Sequence, residues 1–463
     1  MPRPIPRLLR HAWQTFRLAV PVMVSRVGML VMIAVDTAMT GHASAIDLAA
    51  YGLASAVQQP LMLVGIGFLT GTLALVAHAV GARQLHAIMG IWRAALIHAL
   101  VIGTVLMLLC LHADVVLRWF GQNESMVQAC APVLRQLGFG LPAVCVYVTS
   151  AFVLEGTGRA LPGVLVMFLA NLLNVAVNWV LIFGHSDLPA MGATGAALGT
   201  TLARWFAGVA LCLVALLLLR NERARGAAVD SAAPAPTLHA HRRAREDANE
   251  DSGPRLRRLG LPFALAHGLE SSAFASMVQF AGLLGVLHVS AYQIGMSVLT
   301  LVFMLSLGIS IAASIRVGQA LGRGDLDEAA LAGWGAAALS IVLLCLAGIC
   351  IWLFGEPLAR IYTDDEQLIP LVVATFTVVA FAIVPDGLQS VLVGNLRGLG
   401  IAWPSARAYA LCFGPLMIPL GMLLGLRLEG GAPALMLSVA LATSAASALL
   451  AHRFALQIKA QRP

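Results

Sequence analysis

Twelve apolar runs divide this 463-residue chain, near 16–40, 52–80, 92–112, 131–155, 161–184, 191–219, 259–287, 291–320, 329–356, 368–396, 403–426 and 431–456. Each has about 20 residues or more, and a helix of that length crosses the roughly 30 Å hydrocarbon core of a bilayer. No water reaches that core to satisfy free peptide groups, so an open sheet is excluded. Composition agrees: 59% of residues are apolar and 11% charged, where a soluble domain carries about 25% charge. The chain reads as an all-α membrane protein of twelve transmembrane helices. The runs at 52–80 and 291–320 exceed the bilayer depth and imply helix extensions on the cytoplasmic side.

Duplication is the second constraint. Leu154–Pro162 (LEGTGRALP) returns as Leu396–Pro404 (LRGLGIAWP), identical at five of nine positions. Pro21 and Pro262, Gly67 and Gly308, and Gly81 and Gly322 each lie 241 apart. One offset shared by widely spaced landmarks gives two copies of a unit of roughly 240 residues. In a membrane protein this points to a transporter whose site lies between the halves. The expected domains are an N-lobe at 1–219 (helices 1–6) and a C-lobe at 259–463 (helices 7–12). The polar, Ala/Pro-rich stretch 220–258 cannot bury enough apolar surface to order itself and reads as a disordered cytoplasmic linker. Arg242, Arg243 and Arg245 offer it a second role, as a lipid-contacting segment.

Basic residues set the orientation. With the N-terminus in the cytoplasm, 21 of the 29 Lys and Arg fall in cytoplasmic segments, nine of them between Arg220 and Arg258. Only Arg118, Arg360 and Arg427 fall on the opposite side. The positive-inside rule then places both termini in the cytoplasm, with each six-helix unit oriented alike. The net charge of +7 is a product of this topology, so no nucleic-acid partner is implied. Ala43-Ser44-Ala45 resembles a cleavage site, but the preceding run is too long for a signal-peptide core and carries Asp36, so it reads as an uncleaved first helix. The seven Cys lie in or beside apolar runs without metal-ligand spacing and read as packing residues.

Carboxylates are scarce where the chemistry would sit. Of 22 acidic residues, only Asp36, Glu270 and Asp386 lie well inside apolar runs. A central Asp costs about 2.5–3.5 kcal/mol to insert, so such residues usually face a cavity and carry function. The repeat does not duplicate them: Met277 stands at the counterpart of Asp36, and Met29 at that of Glu270. Glu155, at the end of run 4, reads as interfacial. Asn171, Asn174 and Asn178 share one helical face at i, i+3, i+7. Helical rise puts Asn178 and Asp36 at similar depth in the outer half of the bilayer, where Thr200 and Thr201 enter from the next helix. A carboxylate with amide and hydroxyl groups suits a proton or a hard cation such as Na⁺. The plainer reading of the Asn row is interhelical hydrogen bonding. Ser271, Ser272 and His267 stand close enough in sequence to satisfy Glu270 locally. Arg26, Arg135 and Arg204 are available to pair with acids, although Arg26 lies about 15 Å along its helix from Asp36. Pro385 should kink the helix that carries Asp386.

These residues resemble a known family. Val20–His42, LAAYGLA, GTLALVAHAVGAR, NLLNVAVNW, GATGAALGTTLARW and PDGLQSVLVGNLRGLG follow in the order seen in MATE (multidrug and toxic compound extrusion) antiporters, with the NorM-like branch most similar. The resemblance covers the chain outside 220–258. It implies two pseudo-symmetric six-helix lobes around a central cavity that opens alternately to either side of a bacterial inner membrane. It also implies exchange of inward H⁺ or Na⁺ for amphipathic, cationic drugs, by a monomer without a cofactor. By position, Asp36, Asn174, Asn178 and Thr200 match the family's N-lobe cation site, with Na⁺ a candidate at Asp36, Asn174 and Asn178. Glu270 and Asp386 match its C-lobe acidic pair. Some Na⁺-coupled relatives carry a Tyr one turn before the second acid; Ala382 stands there.

Other classes compete. A major-facilitator drug antiporter also has six plus six helices, but AVGARQLHAI fits that family's loop signature poorly. A flippase for lipid-linked precursors would share the topology and should place more Arg and Lys inside the helices. A membrane enzyme should show an Asp-x-x-Asp, His-Glu-x-x-His or Ser/His constellation in the spans, and none is present.

Overall fold

The computed structural model describes residues 7–119, 124–184, 189–232 and 252–461, and no strand occurs among them. Helices α1 (Arg7–Ala43), α2 (Ala45–Gly81) and α3 (Leu85–Leu111) are followed by a short α4 (Ala113–Trp119). Next come α5 (Glu124–Phe139), α6 (Leu141–Gly156), α7 (Leu161–Phe183) and α8 (Gly192–Ala232). The order then repeats: α9 (Ser252–Leu283), α10 (Val286–Gly322), α11 (Leu326–Leu353), short α12 (Gly355–Tyr362), α13 (Leu368–Gly398), α14 (Trp403–Arg427) and α15 (Gly431–Ala460). Among the described residues, eleven segments are long and apolar enough to cross a membrane, with α5 and α6 forming one of them. The twelfth expected span, α9, is 32 residues long, but His267, Glu270, Ser271 and Ser272 lower its hydropathy. The all-helical expectation is borne out. The expected linker shrinks at both ends, because α8 runs to Ala232 and α9 starts at Ser252 with Pro254 in its first turn, where no N–H is needed. Its centre lies outside the described residues.

Lipid-facing helices invert the soluble pattern. On α7, Leu165, Phe168, Leu172, Val175 and Trp179 form an exposed apolar face, while Gly163, Met167, Ala170, Asn174 and Asn178 are buried on the other. Proline disturbs two helices in different ways. Pro142 follows a break at Gly140 that parts α5 from α6. Carbonyls freed there accept side-chain donors from α8: Thr201 Oγ1 to Gln136 O at 2.6 Å and Trp205 Nε1 to Phe139 O at 3.0 Å. In α14, Pro415 lies inside one π-helical turn (Cys412–Met417) and Pro419 just before a second (Gly421–Arg427), where missing N–H groups loosen the ladder.

Val24–Ala264 forms one compact unit, and Met1–Met23 with Leu265–Pro463 forms the other. The division therefore falls inside α1 and α9, not in the segment joining the sequence halves. In the second unit Ala19 and Met23 of α1 pack with Ile309, Ala313, Ala336 and Val391. In the first, Gly260 of α9 lies against Phe68, where a Cβ would come within 2.4 Å of the Phe68 carbonyl.

Both units repeat the same local devices. Gly158 and Gly400 take φ +83° and +73°. In each, the next residue's N–H returns to the carbonyl five residues back: Arg159 to Leu154 at 2.8 Å and Ile401 to Leu396 at 2.9 Å. This left-handed stop, followed by Pro at the next helix start, is the physical content of the repeated nonapeptide. Arg118 pairs with Glu124, and Arg360 with Glu366, at equivalent places. Asp47 Oδ1 accepts from Ala193 N at 2.7 Å, capping α8. Its counterpart 241 residues on, His288, accepts from Ala432 N through Nδ1 at 3.3 Å, capping α15.

Candidate functional site

In the first unit Asp36 is fully buried on α1 and meets four donors. Asn174 and Asn178 Nδ2 of α7 donate to Oδ1 at 3.0 and 2.7 Å. Tyr51 of α2 and Thr200 of α8 donate to Oδ2 at 2.6 and 2.5 Å. A carboxylate held by this many donors needs no counter-ion in direct contact. The amide oxygens of Asn174 and Asn178 are buried without a partner among the described residues. In this arrangement the amides serve an ionised acid; to ligate Na⁺ through oxygen both would have to turn over.

The four residues expected from sequence thus converge, but two of their neighbours do not join them. Asn171 Nδ2 donates to the Gly28 and Met167 carbonyls. Thr201 serves the α5–α6 break. Sequence reasoning misses Tyr51, although a tyrosine inside an apolar run signals a hydroxyl in need of a partner. Its repeat counterpart, Tyr292, is fully buried with its hydroxyl unpartnered among the described residues, in the half where Met277 stands for the acid.

The second unit brings Glu270 of α9 and Asp386 of α13 together. Gln389 Nε2 bridges them, 3.1 Å from Asp386 Oδ1 and 3.4 Å from Glu270 Oε1. His267 Nδ1 lies 3.3 Å from Glu270 Oε2. Ser271 and Ser272 instead donate to backbone carbonyls of their own helix. Asp386 is buried, whereas the Glu270 side chain keeps 16% of its exposure. Phe274, one turn beyond Glu270, lies tilted against Phe413, itself edge-on to Tyr409. Gln389, one turn beyond Asp386, is legible only once its helix is known to carry the acid. Pro385 sits within α13 beside Asp386, and its carbonyl accepts from Ser447 Oγ at 2.7 Å.

Glu155 has a partner that the sequence reading did not assign. It is buried at the end of α6 and pairs with Arg26 at 3.1 Å, both side chains at most 6% exposed. The guanidinium also lies 5.3 Å from the Phe152 ring. Arg135 pairs with Asp114.

The MatE family model matches the chain twice, at residues 21–180 and 262–423, so each repeat carries the family pattern. "Probable multidrug resistance protein NorM" of Caulobacter vibrioides is 30% identical over 457 residues, covering 98% of this chain and 93% of that protein. "Multidrug resistance protein NorM" of Vibrio cholerae is 27% identical over 420 residues, covering 91% and 89%. Among solved structures, the eukaryotic MATE transporter AtDTX14 superposes with TM-score 0.84 at 18% identity, covering 99% of each chain. An aspartate-to-asparagine mutant of the Vibrio cholerae MATE transporter VcmN superposes with TM-score 0.82 at 17% identity, covering 98% of each. The fold, the doubled family match and the relatives agree: this chain belongs to the MatE family.

Proposed function

We propose that this chain exports amphipathic, cationic organic compounds across a bacterial inner membrane in exchange for inward H⁺ or Na⁺, by alternating access. The N and C termini lie in the cytoplasm, and the monomer is the working unit. The relatives named for multidrug resistance support drug export. The observation that carries the coupling is one sheltered carboxylate cluster per unit, Asp36 in the first and Glu270 with Asp386 in the second.

Thr200 gives the first cluster a way to accept a proton. Its Oγ1 stands 2.5 Å from Asp36 Oδ2 and 3.0 Å from the Ala196 carbonyl. While Asp36 is ionised the hydroxyl hydrogen points at the carboxylate. When a proton binds Oδ2, that O–H donates to Oγ1 and the threonine hydrogen turns to Ala196. Asp36 Oδ2 and the Thr200 hydroxyl each keep a partner in both states. Neutralising the acid lowers the cost of sheltering it and favours the alternate arrangement of the protein. The second cluster suits an organic cation: paired carboxylates supply charge, and half-buried Phe274 supplies a ring face.

Proteoliposomes loaded with ethidium test the reading, driven by a proton gradient alone and then by a sodium gradient alone. Wild type should move dye under one gradient or both. Asp36→Asn and Asp386→Asn should each abolish exchange or cut its initial rate severely, because each removes a sheltered carboxylate that loads the coupling ion. Dye movement at the wild-type rate in both variants, or lipid translocation without dye movement, rejects the proposal.

A further inference from the structure

Arg257 and Arg258 have no part in the exchange described above, yet both stand exposed in the first turns of α9. There α9 lies on α2: a Cβ on Gly71 would meet Leu256 Cδ1 at 3.2 Å and the Gly260 nitrogen at 3.3 Å. His98 of α3 stacks on Phe68 of α2, ring centroids 5.9 Å apart, and its Nε2 lies 3.5 Å from Arg257 Nη1. The other ring nitrogen, Nδ1, stands 2.8 Å from the Ala94 carbonyl and so carries the ring hydrogen. Nε2 is then left to accept from the guanidinium. A neutral imidazole thus aims Arg257 without cancelling its charge. Among the described residues neither Arg257 nor Arg258 meets a carboxylate.

Beyond these charges the surface turns apolar. Leu261 follows Arg257 by one turn of α9 and is 51% exposed. Val101 and Val105 continue the His98 face of α3 at i+3 and i+7, 58% and 52% exposed. As third and seventh spans, α3 and α9 enter the bilayer from the same side, so the cations stand at its surface and the apolar strip runs inward. We propose that this flank of α3 and α9 binds an anionic phospholipid. Its phosphate lies on Arg257 and Arg258, whose planar forks match phosphate oxygens, and its acyl chains lie along Leu261, Val101 and Val105. A soluble anion would engage the charges and leave the strip unused. In the orientation proposed above the lipid belongs to the cytoplasmic leaflet, where anionic headgroups attract basic residues flanking a membrane helix.

The full-length protein in neutral detergent, titrated with dioleoylphosphatidylglycerol and followed by thermal melts, tests the site. Bound lipid should raise the melting temperature, and dioleoylphosphatidylcholine or inorganic phosphate should not. Each arginine at headgroup level contributes about 5-fold to affinity. Arg257→Gln with Arg258→Gln should therefore raise the half-saturating phosphatidylglycerol about 25-fold. Arg453→Gln, at an exposed arginine of α15, should leave it unchanged. Equal half-saturation for the Gln pair and Arg453→Gln overturns the proposal, as does a rise of the same size with inorganic phosphate. Should the Gln pair fail to purify as a single species, Arg258→Gln alone replaces it. A shift of about 5-fold then supports the site, and wild-type half-saturation overturns it. None of these readouts involves dye movement, so failure here leaves the exchange reading standing.

Discussion

Arg26 and Glu155 show how side-chain reach defeats sequence spacing. Asp36 is ten residues from Arg26 on one helix, too far for contact, and the arginine turns to a different helix 129 residues away. Burying both charges is costly, and losing one partner is costlier than never having had the pair. Arg26→Ala should therefore lower the detergent-solubilised protein's stability by about 3–5 kcal/mol, while Arg26→Met with Glu155→Leu should recover most of it. Thermal melts followed by size-exclusion would show this as a steep drop for the single variant and near recovery for the double. The acids themselves are legible because a carboxylate in an apolar run is rare. Tyr51 and Gln389 are not, since a tyrosine or glutamine in a membrane helix has many other uses. The partner of Glu155 is not legible either, because the sequence does not show which neighbouring helix covers the end of its run.

At the scale of the element, close approach depends on glycine. A Cβ on Gly103 of α3 would fall 2.5 Å from Pro142 Cα, and one on Gly394 of α13 2.3 Å from the Ser310 carbonyl. Backbone cannot step aside as a flexible side chain does, so the helices would have to part. Gly90, on an open face of α3, meets nothing within 4 Å. Gly103→Leu and Gly394→Leu should each cost more than about 3 kcal/mol or abolish expression, and Gly90→Leu should be neutral or slightly stabilising. A lowered melting temperature for Gly90→Leu equal to the others would contradict this account. Helix existence and number are readable from apolar runs alone. The short α4 and α12, the break at Gly140 and the π turns of α14 are not; the break, for one, depends on donors that α8 supplies to freed carbonyls.

For the molecule as a whole, duplication is readable from a nonapeptide and three spaced pairs, and the matching stops at Gly158 and Gly400 explain why that peptide persisted. The helix caps carry the argument further. Gly192 and Gly431 have φ +52° and +65°, and a Cβ on either would collide with its capping side chain, Asp47 or His288. Asp47→Ala and His288→Ala should each cost about 1 kcal/mol, as lost caps do. Because the two lie in different compact units, the double variant should cost their sum to within about 0.5 kcal/mol. His288→Asp should retain wild-type stability, since a carboxylate does this task in the other copy; a melting temperature as low as that of His288→Ala would refute the equivalence.

An imidazole standing where its twin has a carboxylate says something about how the copies drifted apart. What selection kept was an acceptor aimed at one amide, and the chemical group supplying it was free to change. Ancestry between such halves is better traced by matching donor and acceptor roles than by scoring letters, and kinship hidden at low identity should surface under that comparison.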